Sequence, residues 1–153
     1  MKLLKKISFN KICIYIVISL CCVFLTKILK SEFIFKYLQE NIITLLVTLL
    51  AINTATSGLI ASKIQDLMLQ HKGISFKNST EEMKLSLLEQ IILIIISFIA
   101  VVFQNSPIII FDYKELIGNI VLTFILIYAI HILWDTGNAV FISIDTIEKL
   151  NDQ

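Results

Sequence analysis

Ile42-Ile-Thr-Leu-Leu-Val-Thr-Leu-Leu-Ala-Ile-Asn-Thr-Ala-Thr-Ser-Gly-Leu-Ile-Ala61 contains no charged side chain. It matches the about 20 residues a helix needs to cross the hydrocarbon core of a bilayer. Thr44, Thr48, Ala51, Ala55, Gly58 and Ser62 recur along it at helical spacing. At 100° per residue they fall within roughly 80° of one another, forming a seam of small residues. Such seams let helix backbones approach closely in lipid. Asn53 and Ser57 lie nearly opposite. The segment therefore has two faces that do not suit lipid. One is expected to meet its own bundle, and the other a second subunit or an aqueous path.

Three further apolar runs, Ile7–Leu29, Leu85–Phe103 and Leu116–Trp134, approach the same length. The chain is 57% hydrophobic and 16% charged, with a mean hydropathy of +0.86, whereas soluble domains carry about 25% charged residues. The expected fold is all-α: an integral membrane four-helix bundle forming one domain over 1–153. A cytoplasmic helical hairpin, 62–84, is expected between helices two and three, and a cytoplasmic tail over 135–153. The bilayer is the first partner this implies.

Net charge is +1, and all 13 basic residues are lysine. This gives no arginine fork for phosphate and no basic face for nucleic acid. Cys13, Cys21 and Cys22 all lie in the first run without a Cys-x-x-Cys spacing, and read as small hydrophobes. The start, Met1-Lys-Leu-Leu-Lys-Lys6, resembles a signal peptide, but no small-x-small site follows the apolar run. An uncleaved first span is expected. Lys2, Lys5, Lys6, Lys11, Lys63, Lys72, Lys77, Lys84 and Lys149 fall on one side of a four-span layout. Lys27, Lys30, Lys36 and Lys114 fall on the other. Lysine favours the cytoplasmic side, so both termini are expected inside the inner membrane of a bacterium.

In the first run, Tyr15, Ser19, Cys22 and Thr26 share one face, the usual mark of a helix contact. The aromatic segment Leu29–Leu38 suggests a short interfacial helix. Beyond Ser62, Ile64, Leu67 and Met68 continue the helical pattern up to a stop at Gly73. Ser79-Thr-Glu-Glu82 reads as a capping box opening the third helix. The stripe of Ile64, Leu67, Met68, Met83 and Leu87 either packs within the hairpin or docks a soluble cytoplasmic protein. In the docking reading, Leu67, Met68, Gly73 and Phe76 are the contact candidates.

The third run places Gln90, Ser97 and Gln104 seven residues apart on one face. With Asn53 and Ser57 they either hydrogen-bond neighbouring helices or line a polar path. In the fourth run, Asn119 and Thr123 share a face, and so do His131, Asp135 and Asn138. Asp112 and Glu115 suggest a capping box, with Phe111 stapled onto Leu116. His131 and Asp135, four residues apart, are placed to pair. Histidine titrates near physiological pH, so a gating pair is the sharper reading and a structural pair the plainer one.

No glycine-rich nucleotide loop, Walker loop, zincin helix or nucleophile elbow occurs. No enzyme, cofactor or metal site is expected. No internal repeat of the kind secondary transporters use is visible.

Four spans, the segment Asn53-Thr-Ala-Thr-Ser-Gly58 and the inner hairpin Lys63–Lys84 together resemble the transmembrane subunits of bacterial anti-phage systems, the Kiwa system among them. The resemblance implies an inner-membrane sensor that forms homo-oligomers and engages a soluble cytoplasmic effector after phage attack. It carries over no functional residue. Holin-like and ion-channel effectors share this layout, so a pore-forming chain is the alternative.

Overall fold

In the computed structural model, residues 9–70, 77–108 and 112–151 are described, and among them there is no strand. The elements are four helices: α1 (Phe9–Ile28), α2 (Phe33–Gln70), α3 (Lys77–Asn105) and α4 (Lys114–Asn151). All four are long and apolar enough to cross a membrane. The chain groups into two compact units, Met1–Leu45 with Ile94–Tyr128 and Leu46–Leu93 with Ala129–Gln153.

Polarity is inverted relative to a soluble protein. Ser19, Asn53, Gln90, Ser97, Gln104, Asn119, Thr123 and Thr136 are buried, while Ile14, Val17, Phe24, Leu25, Ile95, Phe98 and Ile99 are exposed. Water as solvent would select the opposite arrangement. Lipid selects this one, because an amide or hydroxyl facing hydrocarbon is costly unless partnered, whereas an exposed leucine costs nothing.

The first unit has an apolar core of Val23, Phe35, Leu38, Ile42, Leu122 and Ile125. Ser19 and Thr26, from the small-residue stripe of α1, are buried with it. Tyr15 of α1 meets Tyr128 of α4 at a ring separation of 5.9 Å, tilted by 53°. Tyr128 in turn lies parallel to Phe124 at 6.1 Å. Both separations fall in the range where aromatic pairs attract.

Helix α1 closes with a left-handed residue, Lys30, at φ 50. Lys30 N donates to Lys27 O at 3.2 Å and Ser31 N donates to Thr26 O at 3.0 Å. These are the two bonds of a Schellman stop, which satisfies the last carbonyls of the helix. Glycine is the usual residue there, because its missing side chain removes the clash that left-handed backbone creates.

The segment Phe33–Leu38 is not a separate interfacial helix. It is the first part of α2. Phe35 and Leu38 are buried and lead into Ile42 and Leu46 at three- and four-residue steps. One continuous buried stripe thus keeps one continuous helix.

Helix α3 begins at Lys77, so Ser79 lies inside its first turn rather than at the cap. Helix α4 begins at Lys114, and Ile117 N donates to Tyr113 O at 2.9 Å. Tyr113 is therefore the N-cap, one residue later than the Asp112 box requires. Phe111, the expected staple, lies outside the described residues. Lys114 Nζ donates to Ser106 O and ties the start of α4 to the end of α3.

The second unit is centred on Leu46, Ile60, Ile64, Leu93, Ala129 and Ile132. On α4, Leu122, Ile125, Ala129, Ile132 and Thr136 are all buried. Their spacing is the alternating three–four seam of helix packing.

Candidate functional site

Three groups of residues carry the chemistry, and each sits where helix periodicity puts it. In the second unit, Asn53 of α2 is fully buried. Asn53 Nδ2 donates to Gln90 Oε1 at 3.0 Å and to Ser86 Oγ at 2.9 Å, both on α3. Ser86 and Gln90 are four residues apart, so one helix face presents both to the same amide. Ser86 Oγ also lies 3.1 Å from Thr136 Oγ1 of α4. Thr136 Oγ1 donates to Ile132 O at 3.1 Å. Because the one Thr136 proton is used there, Ser86 donates to Thr136. A directed chain results: Asn53 amide to Ser86 hydroxyl, to Thr136 hydroxyl, to Ile132 carbonyl. It joins three helices.

In the first unit, Gln104 Nε2 of α3 donates to Asn119 Oδ1 of α4 at 2.8 Å. Thr123 Oγ1 donates to Asn119 O at 2.7 Å. A Cβ built on Gly118 would stand 2.6 Å from Gln104 Cδ, so only glycine leaves room for that amide. Ser97, midway between Gln90 and Gln104 on α3, is buried and donates to its own helix at Ile94 O, 2.8 Å away.

Of the five polar-path candidates, Asn53, Ser57, Gln90, Ser97 and Gln104 are all buried. Asn53 and Gln90 bond each other, Gln104 bonds Asn119, and Ser97 bonds its own backbone. Asn53 Oδ1, Ser57 Oγ, Gln90 Nε2 and Gln104 Oε1 have no partner among the described residues.

The small-residue seam lies elsewhere. Thr44 in the first unit, and Thr48, Ala51, Ala55, Gly58 and Ser62 in the second, are all exposed. A Cβ on Gly58 would meet nothing within 4 Å among the described residues. The opposite face of α2, with Asn53, Ser57, Ile60 and Ile64, is the one turned inward.

His131 Nε2 and Asp135 Oδ2 lie 3.1 Å apart, as four-residue spacing allows, with the Asp135 side chain 57% exposed. Nearby Trp134 is exposed, a position that suits a membrane interface. Helix α2 runs on to Gln70, and on this extension Met68 and Leu69 are exposed while Ile64 is buried. Met83 and Leu87 of α3 are half-buried. Of the docking candidates, Leu67 lies on α2, and Gly73 and Phe76 lie outside the described residues.

Ser86 and Thr136 were not singled out from the sequence. The signal for each was present. Ser86 stands one turn before Gln90, and Thr136 ends the α4 seam that starts at Leu122. Among the described residues no group of three or more metal-ligating side chains occurs. Cys13 and Cys21 are exposed free thiols on α1. Compared with known proteins, the chain matches no family, no curated protein and no solved structure.

Proposed function

We propose that this chain is a non-enzymatic membrane subunit that self-associates through α2 and couples a membrane event to a soluble cytoplasmic partner. Both termini then lie in the cytoplasm, as the lysine asymmetry favours, and the segment 62–84 is a cytoplasmic hairpin. The resemblance to anti-phage membrane subunits supplies the setting, a bacterial inner membrane under phage attack.

One observation carries the reading: the exposed seam Thr44, Thr48, Ala51, Ala55, Gly58 and Ser62. In lipid, leucine and isoleucine are as good a surface as any. A run of small residues gains over them only when another backbone comes close. The inward Asn53 amide of α2 bonds α3, and the exposed seam on the opposite face is the surface offered to a second copy. The exposed Met68 and Leu69, past the candidate span Phe33–Asp66, support a contact for the cytoplasmic partner.

Gly58 separates assembly from folding. Alanine favours helix over glycine by about 0.8–1.0 kcal/mol, and the added Cβ touches nothing among the described residues. Gly58→Ala should leave the single chain as stable or more so, and Gly58→Leu should fold as well. Energy transfer between labelled copies in liposomes, titrated against lipid, should show Gly58→Leu weakening association at least about tenfold, or about 1.4 kcal/mol. Phe24→Leu, at an exposed site on α1, should leave it unchanged. Equal association of Gly58→Leu and the parent chain rejects the seam as the subunit contact.

A second reading, a pore-forming or holin-like effector, is favoured by the four buried polar atoms that have no partner among the described residues. Dye release from liposomes holding the purified protein alone would support it.

A further inference from the structure

In the second unit three buried polar atoms have no partner among the described residues: Asn53 Oδ1, Ser57 Oγ and Gln90 Nε2. Asn53 and Gln90 are bonded to each other, so their two free atoms belong to one small cluster. Ser57 lies one turn further along the same buried face of α2. Its hydroxyl departs from a local habit. Ser19, Thr26, Thr54, Thr56, Thr123 and Thr136 each donate to the carbonyl four residues earlier. Ser57 makes no such bond to Asn53 O. An unmade hydrogen bond on a buried group costs about 1–3 kcal/mol, and three in one cluster call for a partner.

The cluster's chemistry identifies that partner. A single bond between two amides uses one N–H group and one carbonyl. It leaves one carbonyl on the donating residue and one NH₂ on the accepting residue. Exchanging O and N on both amides leaves the same pair, so the result does not depend on how they are oriented. A bare cation would suit Asn53 Oδ1 and Ser57 Oγ but would face the N–H of Gln90. An anion would suit Gln90 and would face the carbonyl of Asn53. Only a neutral molecule that both donates and accepts satisfies all three atoms. Asn53 and Gln90 are 0% and 2% exposed, which excludes a side chain or a lipid headgroup from outside.

We infer that Asn53, Ser57 and Gln90 hold an internal water molecule between α2 and α3. The water donates to Asn53 Oδ1, accepts from Gln90 Nε2 and exchanges its remaining bond with the Ser57 hydroxyl. Three partners are the usual number for a buried water. Asn53 precedes Ala61 by eight residues and Gln90 follows Leu85 by five, the ends of the two apolar runs next to the hairpin. At 1.5 Å per residue the site lies about 8–12 Å along each helix from that end.

The test uses the full chain in liposomes, with ¹⁵N-labelled Asn and Gln and ¹³C-labelled Ile and Leu methyls. Magnetisation is transferred selectively from water in proton-detected solid-state NMR. Transfer should reach Gln90 Nε2 and the Asn53 amide, assigned through Gln90→Leu and Asn53→Leu, and should miss the Ile60 and Leu93 methyls. Ser57→Ala should lower the transfer at least twofold while the other amide resonances keep their positions. No transfer to Gln90 overturns the inference. Transfer that also reaches Ile60 and Leu93 overturns it in favour of a continuous water path. Shifts at Asn53 or Gln90 on exchanging sodium, potassium or chloride overturn it in favour of an ion site.

Discussion

Gln104 Nε2 donates to Asn119 Oδ1 at 2.8 Å across α3 and α4, and the neighbouring Gly118 is what lets the two amides meet. A methyl group there would stand 2.7 Å from Gln104 Oε1, well inside contact distance. Gly118→Ala should expel the Gln104 side chain and break its bond to Asn119. Interhelical hydrogen bonds in membranes contribute about 0.6–2 kcal/mol, and a loss of that order is expected. In a Gln104→Ala background the same change should cost much less, because nothing remains to collide. Steric-trap unfolding of the four variants in bilayers measures this coupling. Equal costs in both backgrounds would show that Gly118 serves some other purpose.

The chain from Asn53 through Ser86 to Thr136 predicts an asymmetry between single and paired substitution. Asn53→Leu strands the Gln90 carbonyl and removes the donor to Ser86, with an expected cost of about 1–2 kcal/mol. Asn53→Leu with Gln90→Leu removes both amides and should recover much of that loss. Replacing both partners of a buried polar pair by apolar groups of similar shape is often close to neutral. A double variant less stable than the sum of the singles would contradict this.

At the end of α1, Lys30 holds a conformation that suits glycine. Left-handed backbone costs an ordinary L-residue roughly 1–2 kcal/mol, part of which glycine returns through its greater freedom in the unfolded chain. Lys30→Gly should therefore stabilise the protein by up to about 1 kcal/mol. Lys30→Val, branched at Cβ, should destabilise it. Thermal unfolding of both variants in detergent checks the sign.

Scrambling 67–76 should abolish co-purification of a cytoplasmic partner from native membranes while membrane insertion and the oligomer persist. The exposed Met68 and Leu69 are the residues whose polar replacement should weaken capture first. Retained capture by the scrambled chain would place the partner contact elsewhere.

Much of the architecture was legible from hydropathy because the bilayer leaves so few alternatives. An apolar run of about 20 residues in lipid must satisfy its own backbone, and a helix does so. The stripe of Ser19 and Thr26, and the buried face of Gln90, Ser97 and Gln104, followed from residue spacing in the same way. Helix ends were less legible. The aromatic segment around Phe33 has the composition of an interfacial helix, yet Phe35 and Leu38 bury and extend α2. Asp112 has the composition of a cap, yet α4 starts at Lys114, one residue after Tyr113. Caps depend on backbone geometry at single residues, which composition records only weakly.

The sequence by itself determined that this chain has four helices suited to a membrane, and that α2 carries two opposed faces unsuited to lipid. Periodicity could not say which face turns inward, since small residues and amides are both enriched at helix contacts. Tertiary structure decided it. Asn53 finds Gln90 and Ser86 at hydrogen-bond distance, whereas a Cβ at Gly58 would meet nothing among the described residues. The physical reason is that an amide left in hydrocarbon costs far more than a glycine left there, so the amide takes the inward face.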